Sequence, residues 1–191
     1  MNKVRWDEIM SVSARLFCEK GYTATTMDDI ASELFITKPA LYYYIRTKHD
    51  LLYEICESAI NRLMDGVKEI KASNADPERR LGDLVNLQVN MFSKHGDIIN
   101  VYLADESELP PEKRQYIRSR SREYESIYRE VIQQAIDEGN FRDLDVRMVV
   151  RAISGMCNWL SDWYRPEGKM TADEIAEVFL DLILRGCKKQ P

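Results

Sequence analysis

Two helix-start signals stand close together in residues 25–48, TTMDDIASELFITKPALYYYIRTK, and their spacing constrains the fold most. Thr25 or Thr26 is placed to cap a first helix, and Thr37 is placed to cap a second, with Pro39 in its first turn. A hydroxyl satisfies a free amide at a helix start, and proline is tolerated there because its missing N–H has no helical partner. The segment therefore predicts two short helices joined by a tight turn.

The second short helix is rich in tyrosine and has a basic flank. Residues 37–48 contain three basic residues and no acidic residue. In a helix-turn-helix, one helix braces the chain while the second enters the major groove of DNA, and flanking cations contact phosphates. The segment is therefore typical of a DNA-reading motif. A half-buried helix face is the alternative explanation, and it accounts for one or two of the three tyrosines.

Charge is unevenly distributed along the chain. The formal net charge is −5, but residues 1–50 carry 7 basic and 7 acidic residues, whereas residues 51–191 carry 20 and 25. A neutral head with a local basic edge makes few phosphate contacts, so useful affinity favours two heads on two half-sites. The chain is therefore expected to act as a homodimer on a palindromic operator in double-stranded DNA.

Helical periodicity continues through the remaining sequence. Apolar residues recur at three- and four-residue steps, and no alternating run demands a strand. One helix is expected to begin at Pro77 and close at Gly96, before a separate short apolar segment. Another is expected from about Asp145 to Tyr164, and Thr171 begins a capping box for the last helix.

These patterns predict an all-α fold of about nine helices. A three-helix DNA-binding domain with the helix-turn-helix is expected in residues 1–50, and a larger helical ligand-binding and dimerisation domain in residues 51–191. The four cysteines have no partner at metal-ligand spacing, and there is no glycine-rich phosphate loop and no nucleophile paired with a base. We therefore expect no metal, no cofactor and no enzymatic activity.

The sequence also bears on location. A membrane-spanning helix needs about 20 consecutive apolar residues, and no uninterrupted apolar run approaches that length. The first residues, MNKVRWDEIMSVSARLF, lack the architecture of a signal peptide. We expect a cytoplasmic protein that does not contact a membrane.

Residues 3–55 resemble the N-terminal domain of the TetR family of transcriptional regulators. The resemblance is carried in one order and spacing by Phe17, Gly21, Thr25, Thr26, Ile30, Ala31, the LYYYI segment, Lys48 and Leu51. This combination is more specific than a general helix-turn-helix pattern. It implies a regulator of transcription whose second short helix reads DNA.

The resemblance also implies which residues contact DNA. Thr26 is expected to cap the first short helix and touch a phosphate, and Lys48 is expected to contact another phosphate. The start of the recognition helix and its aromatic positions are expected to meet base edges or backbone, and they are Thr37, Lys38, Pro39, Ala40, Tyr42 and Tyr43. Leu41 and Ile45 fit a packed face, and Tyr44 is left open between DNA contact and packing.

Two residues depart from the family pattern. Phe35 lies in the turn, before Ile36, where family members often have glycine, so the geometry of the turn is in question. Asp28 is acidic near the expected DNA face, which disfavours base readout from the first short helix.

The sequence from residue 139 to residue 186 is similar to TetR-family regulators of lipid, steroid and aromatic-acid catabolism that respond to CoA thioesters. This resemblance implies a repressor released from its operator by a small effector such as an acyl-CoA thioester. The alternative is a TetR-type repressor of a multidrug efflux gene with a promiscuous aromatic pocket. A helical interaction module without DNA binding is a further alternative.

Apolar and aromatic side chains in this half favour two uses. The last two long helices favour a four-helix dimer interface, with intrachain core as the alternative, through Val149, Val150, Ile153, Cys157, Leu160, Ile175, Phe179, Leu182 and Ile183. An effector pocket is expected from Phe92, Tyr102, Tyr124, Tyr128, Met156, Trp159 and Trp163, with an aromatic core or dimer seam as the alternative.

A basic stripe completes the candidate features. Arg114, Arg118 and Arg122 recur every four residues and predict one helix face. Guanidinium groups bind phosphates well, so Arg118 and Arg122 are candidates for holding the nucleotide end of a CoA ester. The alternative is a solvated face paired with acidic residues.

Overall fold

The structure is a computed structural model that describes residues 6–189. Those residues form helices and no extended strand, apart from an isolated β-bridge between Phe141 and Lys188. In chain order the helices are α1 (Trp6–Lys20), α2 (Met27–Glu33), α3 (Lys38–Tyr42), α4 (Lys48–Ala72), α5 (Pro77–Asp105), a 3-10 turn (Glu106–Glu108), α6 (Pro111–Asp137), α7 (Val146–Asn158), α8 (Leu160–Trp163) and α9 (Ala172–Cys187). The predicted all-α class is confirmed.

The chain divides into two compact units. Unit 1 consists of residues 1–60 and 95–118, and unit 2 of residues 61–94 and 119–191. The predicted domain boundary after residue 50 falls inside unit 1, because the first turns of α4 belong to it. Each of α4, α5 and α6 contributes residues to both units.

Unit 1 begins with the three short helices that the sequence predicted. Ile9 and Phe17 of α1, Ile30 of α2 and Leu41 of α3 are all buried, so each helix turns one apolar face inward. Gly21 follows α1 with a φ of +84°, a left-handed conformation that glycine adopts without strain. These contacts hold the helix-turn-helix against α1.

Helix α5 differs from the prediction of a helix closed at Gly96. The helix continues to Asp105 and is only kinked at His95, where φ is −145° and ψ is 36°. Gly96 does not adopt the left-handed conformation that ends many helices. Ile99 and Val101 are buried after the kink, so packing sustains the helix beyond the glycine.

The predicted helix from Asp145 to Tyr164 is also interrupted. Asp145 caps α7, but α7 ends at Asn158 and the four-residue α8 follows Trp159. At this break Trp159 is exposed to solvent, whereas Leu160 and Tyr164 after it are buried.

Unit 2 is built around a core from α5, α6, α7 and α9. Several residues expected at a dimer interface belong to this intrachain core and are buried, namely Val150, Ile153, Cys157, Leu160, Ile175 and Ile183. Periodicity marked them as apolar, but it does not distinguish a subunit's own core from a partner's surface. Of the predicted set, Leu182 is the one that is exposed, and Val149 and Phe179 are half-buried.

Candidate functional site

Helix α2 begins with a complete capping box. The Thr26 hydroxyl accepts the Asp29 amide at 3.1 Å, and Oδ2 of Asp29 accepts the Thr26 amide at 2.8 Å and the Thr26 hydroxyl at 2.5 Å. Lys20 also donates to Asp29 at 2.9 Å. The hydrogen bonds from Thr26 and Lys20 hold the pKa of Asp29 well below its usual range. Thr26 is therefore the helix cap that the sequence predicted, with its hydroxyl engaged by Asp29.

The turn between α2 and α3 contains a strained aromatic residue. Phe35 has a φ of +54°, and its side chain is 96% exposed. Its amide donates to the Ser32 carbonyl at 3.1 Å, and the Ile36 amide donates to the Ala31 carbonyl at 3.0 Å. A left-handed conformation is unfavourable for a side chain larger than glycine. The turn thus keeps the backbone geometry that glycine would favour, at a cost in strain.

Helix α3 separates a packed face from an outward face. The Thr37 hydroxyl accepts the Ala40 amide at 3.3 Å and caps the helix, while Leu41 is fully buried. Tyr42 and Tyr43 are 42% and 86% exposed. The exposed face also includes Thr37, Lys38 and Pro39, with Ala40 half-buried beside them. The residues of this helix that the sequence predicted to contact DNA are thus available to solvent, with Ala40 only partly so.

The third tyrosine of the run has an intermediate environment. Tyr44 is half-buried, and its ring meets the Tyr43 ring edge-on with centroids 5.5 Å apart. The contact braces the exposed Tyr43 ring from one side, so Tyr44 supports the outward face.

Lys48 at the start of α4 holds a neighbouring turn. Its Nζ donates to the carbonyls of Tyr22, Thr23 and Thr25 at 2.8, 3.1 and 2.9 Å. The same nitrogen lies 4.4 Å from the centre of the Tyr22 ring. An ammonium has three protons, and these three carbonyls use all of them. The predicted phosphate contact of Lys48 therefore competes with a structural role that the sequence did not reveal.

Most cations of residues 6–60 are held by partners. Lys38 donates to Asp28 at 2.6 Å, and Arg15 donates to Glu33 at 2.6 Å. Arg46, in the loop between α3 and α4, is exposed and has no ion pair or hydrogen bond to the described residues. The sequence shows that Arg46 lies beside the recognition helix. Only the structure shows that the other cations pair with α1, α2 and the turn before α2, whereas Arg46 does not.

Two of the aromatic residues expected around an effector form a buried polar cluster in unit 2. The Tyr124 and Tyr128 rings meet edge-on with centroids 5.6 Å apart. The Tyr128 hydroxyl lies 2.9 Å from the Leu84 carbonyl and 2.8 Å from the Gln88 side chain, which donates to Asn158 at 3.0 Å. Burial raises the pKa of Tyr128 well above its ordinary value. The cluster joins α5, α6 and α7 by hydrogen bonds in an otherwise apolar core.

The other candidate effector residues of unit 2 do not share one environment. Phe92 is buried and Met156 is half-buried, whereas Trp159 and Trp163 are 62% and 43% exposed. The tryptophans therefore do not line an enclosed pocket within their own subunit. The break after α7 changes the helical spacing on which the sequence argument depended.

The arginine stripe is divided between the two units. In unit 1, Arg114 donates to the Ser107 carbonyl at 2.8 Å, and Arg118 donates to Glu106 at 2.8 Å. Tyr102 also lies in unit 1 and is half-buried. Arg122 lies in unit 2 and is exposed. The stripe therefore does not present three equivalent guanidinium groups to one anion.

A cleft of about 310 Å³ lies in unit 2 between α4 and α6. Its lining combines apolar side chains, Met64, Val67 and Ile127, with the cations Lys68, Lys71 and Arg120 and the acids Asp65 and Glu123. Lys68 pairs with Asp65 at 2.6 Å. Arg120 pairs with Glu123, but Arg120 Nε is buried without a hydrogen-bond partner among the described residues. The cleft thus offers apolar surface beside cations that carboxylates already hold.

Other chemistries find no support in the described residues. The search of that part of the chain finds no group of three or more side chains able to hold a metal ion, and the four cysteines are free thiols. Burial is the main cause that raises the pKa of Cys56 and of Cys157 to about 12, so both are poor nucleophiles. No described helix is both long and apolar enough to cross a membrane.

Comparison with known families covers both parts of the chain. Residues 9–55 match the family described as bacterial regulatory proteins of the tetR family, and residues 74–187 match a tetracyclin repressor-like C-terminal domain. Over 189 residues the chain is 31% identical to the HTH-type transcriptional repressor KstR2 of Mycobacterium tuberculosis, which covers 97% of this chain and 94% of KstR2.

Solved structures agree with these sequence matches. The crystal structure of the TetR-family regulator PfmR from Thermus thermophilus superposes with a TM-score of 0.89 and 33% identity, over 96% of this chain and 100% of PfmR. AibR, crystallised in complex with isovaleryl coenzyme A and operator DNA, superposes with a TM-score of 0.85 and 27% identity, over 94% of this chain and 97% of AibR.

Proposed function

This chain belongs to the TetR family of bacterial regulatory proteins, and from that premise we propose that it is a transcriptional repressor released from DNA by an effector. The supporting observation is the outward face of α3, where Tyr42 and Tyr43 are exposed while Leu41 is buried. Two such heads in a homodimer read two half-sites of a palindromic operator. The protein works in the cytoplasm, where its DNA lies, and catalyses no reaction.

The effector that we propose is an acyl-CoA thioester. AibR, whose described complex contains isovaleryl coenzyme A and operator DNA, resembles this chain along nearly its whole length. KstR2, also similar over nearly the whole chain, is a repressor described as a ketosteroid regulator. Both relatives favour a catabolic acyl or ring-bearing effector over the cationic drugs that an efflux repressor would sense.

The cleft between α4 and α6 is the proposed site for the anionic part of this effector. Arg120 lines the cleft and has a buried Nε without a partner among the described residues, and Lys68 and Lys71, each paired with a carboxylate, add to its apolar walls. Guanidinium groups bind phosphates in a fixed planar geometry, so a nucleotide phosphate is proposed to take the place of Glu123 on Arg120.

Helix α4 connects this site with the DNA-reading head along one chain segment. Its residues 61–71 line the cleft, while Lys48 at its start holds the turn before α2. An effector that binds one position of α4 better than another shifts the population of the reading heads. Effector binding then weakens the match to two successive half-sites.

Release from operator DNA tests the function. Fluorescently labelled operator, selected by the protein from a random pool of duplexes, is titrated with short-chain, long-chain and aromatic acyl-CoA, with the matching free acids, and with cationic dyes. We expect release by a thioester and no release by the dyes. Release by dyes alone would instead establish the efflux alternative, and failure to select any sequence would refute DNA reading.

A matched pair of variants tests the cleft. Arg120→Gln removes the guanidinium in the cleft, and Arg122→Gln removes an exposed guanidinium from the same helix that does not line it. We expect Arg120→Gln to raise the thioester concentration for half-release by about tenfold with operator affinity unchanged. Equal responses of the two variants would remove the cleft from the effector site.

A further inference from the structure

The recognition helix begins with a cation that is held in an exposed ion pair. Lys38, the first residue of α3, donates through Nζ to Oδ2 of Asp28 in the first turn of α2, at 2.6 Å. The two side chains are 45% and 63% exposed, so the pair lies in solvent at the rim of the reading face. The acidic residue that appeared misplaced in the sequence thus has a specific partner.

The pair changes how much positive charge the reading face offers. Residues 1–50 contain equal numbers of basic and acidic residues, so each cation that contacts DNA matters. Lys38 is held by Asp28, and Lys48 is held by three carbonyls, which leaves Arg46 as the exposed cation of residues 37–48 without a partner among the described residues. Hydrogen bonding to Asp28 is the main cause that raises the pKa of Lys38, so this ammonium keeps its charge at neutral pH.

Sequence-independent binding to DNA depends almost wholly on phosphate contacts by cations, whereas operator binding adds contacts to base edges. A lysine held by a carboxylate contributes less to sequence-independent binding. At an operator, base contacts from the other α3 side chains hold the start of the helix at the groove, where base acceptors compete for the ammonium.

We propose that Asp28 is a specificity-determining residue, which pairs with Lys38 and keeps that ammonium from binding phosphates on DNA of unrelated sequence. The proposal rests on the DNA-reading function proposed above. Asp28 thus lowers affinity for non-operator DNA more than affinity for the operator. An exposed ion pair is weak enough for an operator to displace it, yet it opposes each non-specific contact.

The test compares Asp28→Asn with Glu33→Gln in the full-length protein. Both variants remove one acidic charge from α2, but Glu33 pairs with Arg15 on α1, at 2.6 Å, and forms no ion pair with a described residue of the recognition helix. Binding is measured by fluorescence anisotropy against the selected operator duplex and against a scrambled duplex of the same composition, from 50 to 200 mM salt (about the range in which phosphate contacts dominate).

We expect Asp28→Asn to tighten binding to the scrambled duplex by about tenfold per dimer, since two weak pairs are removed. The salt dependence on that duplex should steepen by about 0.9 per head, the value for one additional phosphate contact. Operator affinity should change by less than about threefold, so the specificity ratio falls. Glu33→Gln should leave both affinities near wild type.

A double mutant identifies Lys38 as the group that Asp28 restrains. Adding Lys38→Gln to Asp28→Asn should cancel the gain on scrambled DNA, while Lys38→Gln alone changes that binding by less than about threefold. A gain that persists in the double mutant, or an equal gain in Glu33→Gln, would overturn the proposal in favour of a general charge effect. A wild-type protein without preference for the selected duplex would instead refute the DNA-reading function, while the comparison on scrambled DNA would still be measurable.

Discussion

The reading segment, residues 26–48, and the C-terminal helices, residues 146–187, expose different kinds of large side chain. In the reading segment, two of the three exposed large side chains, Tyr42 and Tyr43, carry a hydroxyl, and the third is Phe35 in the turn. In the C-terminal helices the exposed large side chains are mainly apolar, and they include Met148, Trp159, Val178 and Leu182. Tyrosine suits a wet, polar partner such as DNA, whereas exposed aliphatic and indole side chains suit another protein surface.

The difference shows how the sequence determines which side chains each region exposes. The reading helix is short and has one fully buried side chain, Leu41, so its remaining residues face outward. α7 and α9 have more apolar residues than one face holds, and their most regular positions, such as Ile153 and Ile183, fill the subunit's own core. We therefore propose that the interface with a second copy of the chain uses the apolar residues left outside that core.

The largest loss of stability should come from a substitution in the core of the C-terminal helices, and a substitution outside that core should affect the dimer instead. Ile153→Ala removes a fully packed side chain, and we expect the free energy of unfolding to fall by about 2–5 kcal/mol. Leu182→Asp places a charge on an exposed residue, and we expect a folded subunit whose dimer dissociates. Denaturant unfolding and sedimentation velocity measure the two outcomes. If the Ile153→Ala protein unfolds with wild-type stability, Ile153 does not belong to the subunit's own core, and the assignment to the dimer interface would be favoured instead.

In the reading segment, Lys48→Met distinguishes a structural lysine from one that only binds phosphate. Loss of three charge-assisted hydrogen bonds to carbonyls should lower the free energy of unfolding by about 1–2 kcal/mol in the absence of DNA, discounted because the side chain is half-buried. Arg46→Met is the matched control. It should leave stability unchanged while reducing the salt slope of DNA binding by about 0.9 per head. If Lys48→Met unfolds like wild type, the carbonyl contacts do not stabilise the head.

A substitution at Phe35 tests whether the left-handed backbone of the turn costs stability. Phe35→Gly removes an aromatic ring that is 96% exposed and relieves a φ of +54°. We expect thermal unfolding to show a gain of about 0.5–1 kcal/mol, the left-handed penalty less the entropy cost of glycine. Tyr43→Gly, at a φ of −66°, should instead destabilise by about 0.5–1 kcal/mol. A destabilised Phe35→Gly protein would show that the ring has a packing role.

The smallest expected effect concerns the start of α4. The hydrogen bond from Lys113, with a second from Thr47, lowers the pKa of Asp50. A carboxyl with a lowered folded pKa stabilises the fold above its unfolded pKa, about 3.9, and this stability is lost as pH falls through the folded pKa. Asp50→Asn should therefore cost less than about 0.5 kcal/mol at pH 7, and the difference from wild type should vanish in acid. A difference that is independent of pH would exclude the ionised pair as its cause.

Much of the fold was predictable because its signals are local. Thr37 caps α3, Asp145 caps α7 and Thr171 caps α9 with a complete capping box, and these are contacts between residues two or three positions apart. The kink at His95 and the break at Trp159 were not predictable, because packing of residues beyond them decides whether a helix continues.

The candidate site was predictable in part for the same reason. The exposed Tyr42 and Tyr43 follow from the spacing around buried Leu41, which is a property of one helix. The prediction of the effector residues depended on side chains from several helices meeting in one pocket. Trp159 and Trp163 are exposed instead. The cleft residue Arg120 had no distinguishing pattern, because its unused donor is a product of burial.

The sequence by itself determined an all-helical chain with a capped reading helix, because hydroxyl caps, prolines and apolar periodicity act within a few residues. Only the tertiary structure decided which cations of the head are free to meet DNA. Asp28 lies ten residues from Lys38, and the Tyr22 carbonyl lies 26 residues from Lys48. An ammonium binds the acceptors that folding brings nearest, so the acid-free basic edge seen along the sequence becomes a surface whose charge is set by neighbouring helices and turns.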